Sequence, residues 1–449
     1  MKTVSQKAET SKAGDLNAGK GVDLADGWIP DADGEAGTFA RDLDLGGSYI
    51  LRTASGVYEV ELLDTVSLAR TALYVRPGRD TAVDLPPGRY RAWLRALTEA
   101  TGSLELARMG PGEKLALYAG KAVVLLADPS RMIERLKAAG AKRAPGPRAM
   151  VAAGDPGQVT FRERPPRPAL KPAPAADGGV SIVIPTKERV DLLRACIDSL
   201  DLIRDRVLDI VIIDNGATGA EMVAYLASLA ARPNVRVARH DIPFNFSRLC
   251  NIGAGLARQP LLLFLNDDIE ALDGDWLSAM TGFAARPDTG VVGARLLYPS
   301  GTLQHAGIAS NLLPGPGHPW RSAPREVWEA HPLLATAGEV DAVTGACLMI
   351  GAGLFAELGG FDEAEFAITH NDVDLCLRTR EKGLKVVYAP EATLLHKESQ
   401  TRKPDQAAGE AARHARETAA FYRRHEGAAR RSCFYPLSLR RDTDAALSV

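Results

Sequence analysis

From Val180 onward, apolar runs and helical periodicities take turns along the chain. "VSIVIPT" and "LDIVIIDNG" are nearly unbroken apolar runs that close on polar residues, the pattern of strands covered on both faces. Between them, "VDLLRACIDSL" places apolar residues at 192, 193, 196, 197 and 200, one face of a helix. "GAEMVAYLASLAAR" repeats the helical pattern, "VRVARHD" is a third strand, "FSRLCNIGAGLAR" is helical, and "PLLLFLNDD" is a fourth strand. This order predicts an α/β domain on a mostly parallel sheet over residues 180–403.

Upstream the texture differs. Between Thr38 and Met109 short runs such as "SYILRTA", "YEVELLD", "ARTALYVR" and "GRYRAWLRAL" alternate in polarity and are broken by Gly, Pro, Asp and Ser. That spacing predicts a small all-β, sandwich-like accessory domain over residues 37–143. "KAVVLLADPSRMIERLKAAGAKR" adds a strand and a helix, either to the sandwich or as a separate cap. Residues 1–36 lack periodic apolar signal and are expected to form a flexible tail. Residues 144–179, with "RERPPRPALKPAPAADGG", are expected to form a stiff linker, and 404–449 a basic helix and tail.

A chain of 449 residues exceeds one ordinary core, in keeping with this division. A formal net charge of −2 argues against a nucleic-acid partner. Five widely spaced cysteines without a CxxC pair suggest buried free thiols and a reducing compartment. No apolar stretch has the roughly 18 residues of a membrane span. The N-terminus lacks the apolar core of a signal peptide, so a cytoplasmic location, compatible with the inner face of the membrane, is expected.

Chemistry concentrates where strands end. Thr186-Lys187-Glu188, Asp214-Asn215 and Asn266-Asp267-Asp268 each follow a predicted strand, where open α/β sheets bind ligands. The first such turn, "IPTKER", carries no G-x-G-x-x-G, and no Walker A sequence occurs. Phosphates would then be neutralised by a divalent ion, Mg²⁺ or Mn²⁺, on the short acidic loop. The competing reading is that Asp267 and Asp268 cap a turn and pair with nearby Arg or Lys. Downstream, "THNDVDLCLRTREKG" sets Asn371, Asp372 and Asp374 at a helix start, which favours an ionised carboxylate fit to act as base. A plain helix N-cap is the alternative for Asp372. His396, after a further strand, is either a nitrogen ligand or a packed strand-end residue.

These segments together carry a resemblance. "VSIVIPTKER", "VIIDNG", "FNFSRLCNIGAGLA", "LLLFLNDDIE", "GVVGARLLYPSGTLQHAG", "VDAVTGACLMI", "GGFDE", "HNDVDLCLRTREKG" and "LLHKESQTR" are similar, in this order, to family 2 glycosyltransferases of the GT-A fold. The nearest branch includes rhamnosyl- and other O-antigen or cell-surface polysaccharide transferases. The resemblance implies that Pro185, Thr186 and Glu188 form the first nucleotide-contacting loop and that Asp214 reads the base. Asn251 would line the nucleotide pocket, and Asn266 or Asp267 would approach the ribose. Asp268, with His396, would hold the metal, although Asn266 stands where the family pattern has its first acid. Asp372 would be the catalytic base of an inverting transfer from a UDP- or dTDP-sugar, dTDP-rhamnose among them, to a glycan or lipid-linked acceptor.

Between donor loop and base lie acceptor-side candidates: His305, His318, Trp320, Thr344 and Gly345, with Asn371 beside the base. Trp320 sits in a Pro- and Gly-rich insert, 311–324, and is either a sugar platform on a mobile lid or a packed loop residue. Eight arginines between 413 and 441 give the C-terminal stretch a basic face, either solvated or resting on anionic lipid. Two functional readings follow: an active inverting glycosyltransferase, or a non-catalytic sugar-nucleotide or glycan-binding relative. A nucleotidyltransferase fits less well, because "IPTKERV" is neither Gly-rich nor strongly basic.

Overall fold

The structure, a computed structural model, divides into two units, 1–163 with residue 449, and 164–448. It describes residues 22–23, 29–30, 38–53, 57–65, 70–77, 81–96, 104–108 and 148–151 of the first. Of the second it describes 167–174, 178–203, 208–313, 315–397, 407–428, 432–435 and 441. The strand and helix expected at 121–143 lie outside these residues.

In the first unit the described strands form one antiparallel sheet: β1 (Val22–Asp23), β2 (Ile29–Pro30), β3 (Thr38–Thr53), β4 (Tyr58–Asp64), β5 (Arg70–Val75), β6 (Thr81–Ala96), β7 (Leu104–Arg108) and β8 (Arg148–Val151). Alternation sends Tyr58, Val60 and Leu62 of β4 into a core with Leu73, Val83 and Tyr90. Glu59 and Glu61 face the other way yet are also buried, paired with Arg95 and Arg70. The expected tail thus contributes β1 and β2 to the sheet, and the expected linker contributes β8, so both boundaries drawn from composition were too wide.

The second unit alternates strand and helix from Val180, as its hydrophobic pattern predicts. Its elements are β9 (Val180–Thr186), α1 (Val190–Leu200), β10 (Leu208–Asp214), α2 (Ala220–Ala230), β11 (Val235–Arg239), α3 (Phe246–Leu256), β12 (Leu261–Leu265), β13 (Ile269–Ala271) and α4 (Trp276–Ala284). They continue with β14 (Thr289–Leu297), β15 (Leu303–His305), α5 (Arg325–Ala330), α6 (Pro332–Ala335), β16 (Gly338–Glu339), β17 (Cys347–Gly351), α7 (Ala352–Glu357), α8 (Asn371–Glu381), β18 (Lys385–His396) and α9 (Ala407–Arg424). The sheet order is β11-β10-β9-β12-β17-β14-β18-β13. The first four strands are parallel, and their order reverses between β9 and β12. β17 runs antiparallel to both neighbours, which makes the sheet mixed where a mostly parallel one was expected.

Helices cover both faces. Leu192, Leu193, Cys196, Ile197 and Leu200 of α1 are all buried against the sheet. Each fully buried leucine or isoleucine contributes about 2 kcal/mol. On the other face α3 approaches so closely that a Cβ at Gly253 would stand 2.3 Å from Val183 Cγ1. Part of the expected linker is docked here: Leu170 N–H donates to Ala337 O, and Arg167 donates to the carbonyls of Leu333, Thr336 and Glu339. Cys196, Cys250, Cys347 and Cys376 are buried free thiols. Among the described residues no helix is long and apolar enough to cross a membrane.

Candidate active site

The reversal of strand order opens the sheet at the carboxyl ends of β9 and β12, and polar side chains fill the opening. Thr186 Oγ1 donates to Asp267 Oδ2 at 2.6 Å, tying the two strand ends together. Burial pushes the Asp267 carboxyl up to about 7, with the neighbouring Asp268 adding to the rise. At β10, Asn215 N–H donates to Thr186 O at 2.8 Å, so a third strand end joins this rim.

Several candidates turn out to be committed to the fold. Asp214 accepts from Ala217 N–H at 2.7 Å and from Arg239 at 3.0 Å, which occupies both of its oxygens. Glu188 accepts from the N–H groups of Thr218 and Gly219 and from the Thr218 hydroxyl, and these donors lower its pKa. Asn251 bonds Phe361 through both its oxygen and its amide, and Glu363 through the amide, so it fastens a loop rather than facing outward. In the sequence Asn215 is only part of a polar strand end, with no role of its own. Its amide nitrogen donates to the carbonyls of His240 and Ile242, while its Oδ1 is buried with no hydrogen-bond partner. No sequence signal separates it from Asp214, since both end the same strand.

Asp268 and His396 meet across the β13–β18 ladder, where Ile269 pairs with His396. His396 Nδ1 lies 2.6 Å from Gln304 Oε1, an oxygen that only accepts, so Nδ1 carries a proton. Unprotonated, Nε2 faces Asp268 Oδ1 at 3.1 Å as an acceptor, with Asn266 Nδ2 3.4 Å away; protonated, it forms an ion pair with that carboxylate. Two acceptors at this distance repel unless a cation or proton stands between them. Among the described residues no three His, Cys, Asp or Glu side chains cluster. A two-residue seat of this kind fits an ion that keeps water and takes its other ligands from a diphosphate, as Mg²⁺ and Mn²⁺ do.

Asp372 stands at the first turn of α8. Its oxygens accept from Gly345 N–H and Val373 N–H, each at 2.8 Å. Burial nevertheless raises its pKa above the ordinary aspartate value, so it is a stronger base than a surface aspartate. A short path connects it to the acidic loop. Asn266 N–H donates to Ala346 O at 3.0 Å, next to Gly345. Thr344 N–H and Gly307 N–H both approach His305 Nε2, at 3.4 and 3.3 Å, and Gln304 beside it orients His396. Asp268, His396, Gln304, His305, Thr344, Gly345 and Asp372 therefore lie on one run of contacts.

Among the residues expected on the acceptor side, burial holds His305 neutral, and its Nδ1 meets His318 Nδ1 at 2.9 Å. Asn371 is spent locally: its amide donates to Ser247 Oγ and its oxygen accepts from Asp372 N–H. Trp320 offers no free face. It is 7% exposed and packs against His331, Phe434 and Tyr435, so the expectation of a sugar platform on a lid gives way to a core residue. Of the C-terminal arginines among the described residues, Arg424 pairs with Asp362 and Asp374, Arg423 with Glu365, and Arg441 is buried against Asn311 O, while Arg416 is exposed; Arg430, Arg431 and Arg440 lie outside the described residues.

Residues 181–324 match the family described as Glycosyl transferase family 2. The C-terminal unit is thus similar, over the matched region, to family 2 glycosyltransferases. Its mixed sheet, with the reversal beside β9, has the GT-A form that the sequence resemblance implied. The chain is 36% identical over 250 residues to the uncharacterized protein y4gI of Sinorhizobium fredii, covering 55% of this chain and 27% of that one. It is 37% identical over 234 residues to the O-antigen biosynthesis protein RfbC of Myxococcus xanthus, covering 50% and 18%. It thus spans about a quarter or less of these two relatives. A third, an N-acetylglucosaminyl-diphospho-decaprenol L-rhamnosyltransferase of Mycobacterium tuberculosis, is 28% identical over 51% of this chain and 79% of its own length. Among solved structures, the mannosyltransferase PcManGT from Pyrobaculum calidifontis aligns with a TM-score of 0.44 at 15% identity, over 57% of this chain and 68% of that one.

Proposed function

We propose that this domain transfers a sugar from a nucleotide-diphosphate donor, a UDP- or dTDP-sugar such as dTDP-rhamnose, to a hydroxyl of a glycan or lipid-linked saccharide, with inversion. The setting would be assembly of a surface polysaccharide. The observation that carries the reading is the run of contacts from the Asp268–His396 pair to Asp372. It joins a seat for positive charge and a basic carboxylate on one rim, the two groups that such a displacement needs.

In this scheme Asp372 accepts the proton of the acceptor hydroxyl. The acceptor oxygen bonds to the anomeric carbon as the carbon–oxygen bond to the diphosphate breaks, and the departing electron pair stays on the diphosphate. Attack from the face opposite the leaving group inverts the centre in one step, so no protein nucleophile is required. Asp268 and His396 would hold Mg²⁺ or Mn²⁺, which supplies Lewis-acid neutralisation of the leaving diphosphate when bound. Thr186 and Asp267 shape the nucleotide end. The buried Asn215 Oδ1, which has no hydrogen-bond partner, is an acceptor that could take an N–H of the base, beside the already paired Asp214.

The test is a panel of nucleotide sugars with Mg²⁺ or Mn²⁺ and purified protein, read as released nucleoside diphosphate and, with acceptor saccharides, as product anomer. Turnover of a UDP- or dTDP-sugar with inverted product is expected. Tight donor binding with no release under any condition would favour the non-catalytic binding protein instead.

A further inference from the structure

The C-terminal helix α9 takes no part in the chemistry above, yet it grips the segment that carries Asp372 from both sides. The chain enters α8 through Ile368, Thr369 and His370, and His370 has a left-handed backbone with φ 62°. Residues with a Cβ hold that conformation only where their surroundings impose it. α9 supplies the surroundings. Glu417, 5% exposed, accepts through one oxygen from the N–H groups of Thr369 and Ile368. Thr418 Oγ1 lies 3.0 Å from His370 Nε2, and the rings of His414 and Phe421 stand 5.7 and 5.5 Å from the imidazole.

The second grip lies beyond the base. Asp374 is fully buried, and its Oδ1 accepts from His425 at 2.8 Å and from Arg424 at 3.0 Å. Its Oδ2 accepts from Arg378 at 2.8 Å within α8 itself. Asp372 therefore sits between two anchors, residues 368–370 and residue 374, that both end on one helix. Its own bonds, to Gly345 N–H and Val373 N–H, fix its carboxylate only if the start of α8 is itself fixed.

We infer that Glu417 is a positioning residue for Asp372, acting through Thr369 and His370, and that α9 is part of the machinery rather than a trailing tail. The inference rests on Asp372 being the base. Removing the Glu417 carboxylate leaves two backbone donors unpaired and releases the left-handed turn that launches α8.

The experiment uses the full chain and the donor giving the highest turnover in the panel above. Glu417→Ala should lower kcat about 10- to 100-fold with donor KM little changed, because a small misplacement of a reacting group has that effect. Amide hydrogen exchange over residues 366–372 should speed up in the same variant. Glu417→Gln, whose amide oxygen still accepts both N–H groups, should stay within about three-fold of the parent kcat. Thr418→Val, which deletes one hydroxyl, should shift kcat and exchange in the same direction by less, and it carries the test if Glu417→Ala does not fold. A kcat in Glu417→Ala within about two-fold of the parent, or unchanged exchange over 366–372, would overturn the inference. Asp372→Asn separates the two claims. If it is inactive while Glu417→Ala is fully active, only the positioning role falls; if it turns over normally, the base assignment itself has failed.

Discussion

The two halves of the site are built differently. The proposed donor half is made of strand ends: Thr186 closes β9, Asn215 follows β10, and Asp267 and Asp268 lie just past β12, so the sheet brings them together. The proposed base half is made of contacts remote in sequence. Asp372 is held by Gly345, its helix start by residues near 417 and 425, and the adjoining loop by His305. A rim built from strand ends inherits its precision from the hydrogen-bond ladder. A rim built from loops must be pinned residue by residue, which is why so many polar side chains around Asp372 are buried and paired.

The sharpest break between the halves should come from Asp372→Asn. General-base catalysis is worth about 10²- to 10⁴-fold, so turnover should fall by about 10³-fold while donor affinity, read by calorimetry, stays within a few-fold. A matching loss of donor affinity would merge the halves and sink the comparison. Next in size is Gln304→Leu, which removes the acceptor that fixes the His396 tautomer. Outer partners of metal-binding histidines contribute about 10- to 100-fold in metal affinity, and Mn²⁺ titration should show a loss in that range. Smaller again is Asn215→Ala, for which one neutral hydrogen bond, about 1 kcal/mol, sets the expected loss in UDP or dTDP affinity with kcat unaltered.

The pH dependence sharpens the same contrast. Asp372 must be ionised to act, and burial raises its pKa, so kcat should climb with pH on a limb lying above the usual aspartate range. The linkage runs the opposite way for stability. A carboxyl whose folded pKa is raised is bound more tightly to its proton in the native state. Stability from this group is therefore greatest below the unfolded value and declines as pH rises toward the folded one. Asp372→Asn should accordingly flatten that decline in thermal melts across the same window. An unchanged melting profile would mean that the carboxylate is better solvated than its surroundings indicate.

This contrast also explains what was legible in the sequence. The α/β alternation, the face of α1 and the three polar strand ends were readable because they depend on local periodicity and on where buried runs stop. Asp372 was readable as a carboxylate at a helix start. That Asp214 is paired while Asn215 keeps a buried oxygen without a partner was not readable, because it depends on Ala217 and Arg239, and spacing does not report that. Trp320 was ambiguous for a similar reason: the rings that bury it come from Phe434 and Tyr435, over a hundred residues away. The boundaries of tail and linker were overdrawn because proline and charge mark poor helix and strand interiors, not the absence of edge strands or docking.

One reversed strand has a wider effect on the architecture. β17 pairs Cys347 with Leu265, so the chain entering β17 and the chain leaving β12 arrive at the same edge of the sheet. Had its five residues run the other way, Gly345 would sit about 17 Å from Asn266, a strand's length at the usual rise per residue. Reaching back would then take a long excursion of loop. The inserted direction change brings Asn266 and Ala346 within one peptide hydrogen bond at a single edge of the sheet, where the proposed function would set leaving-group and attacking-group chemistry side by side.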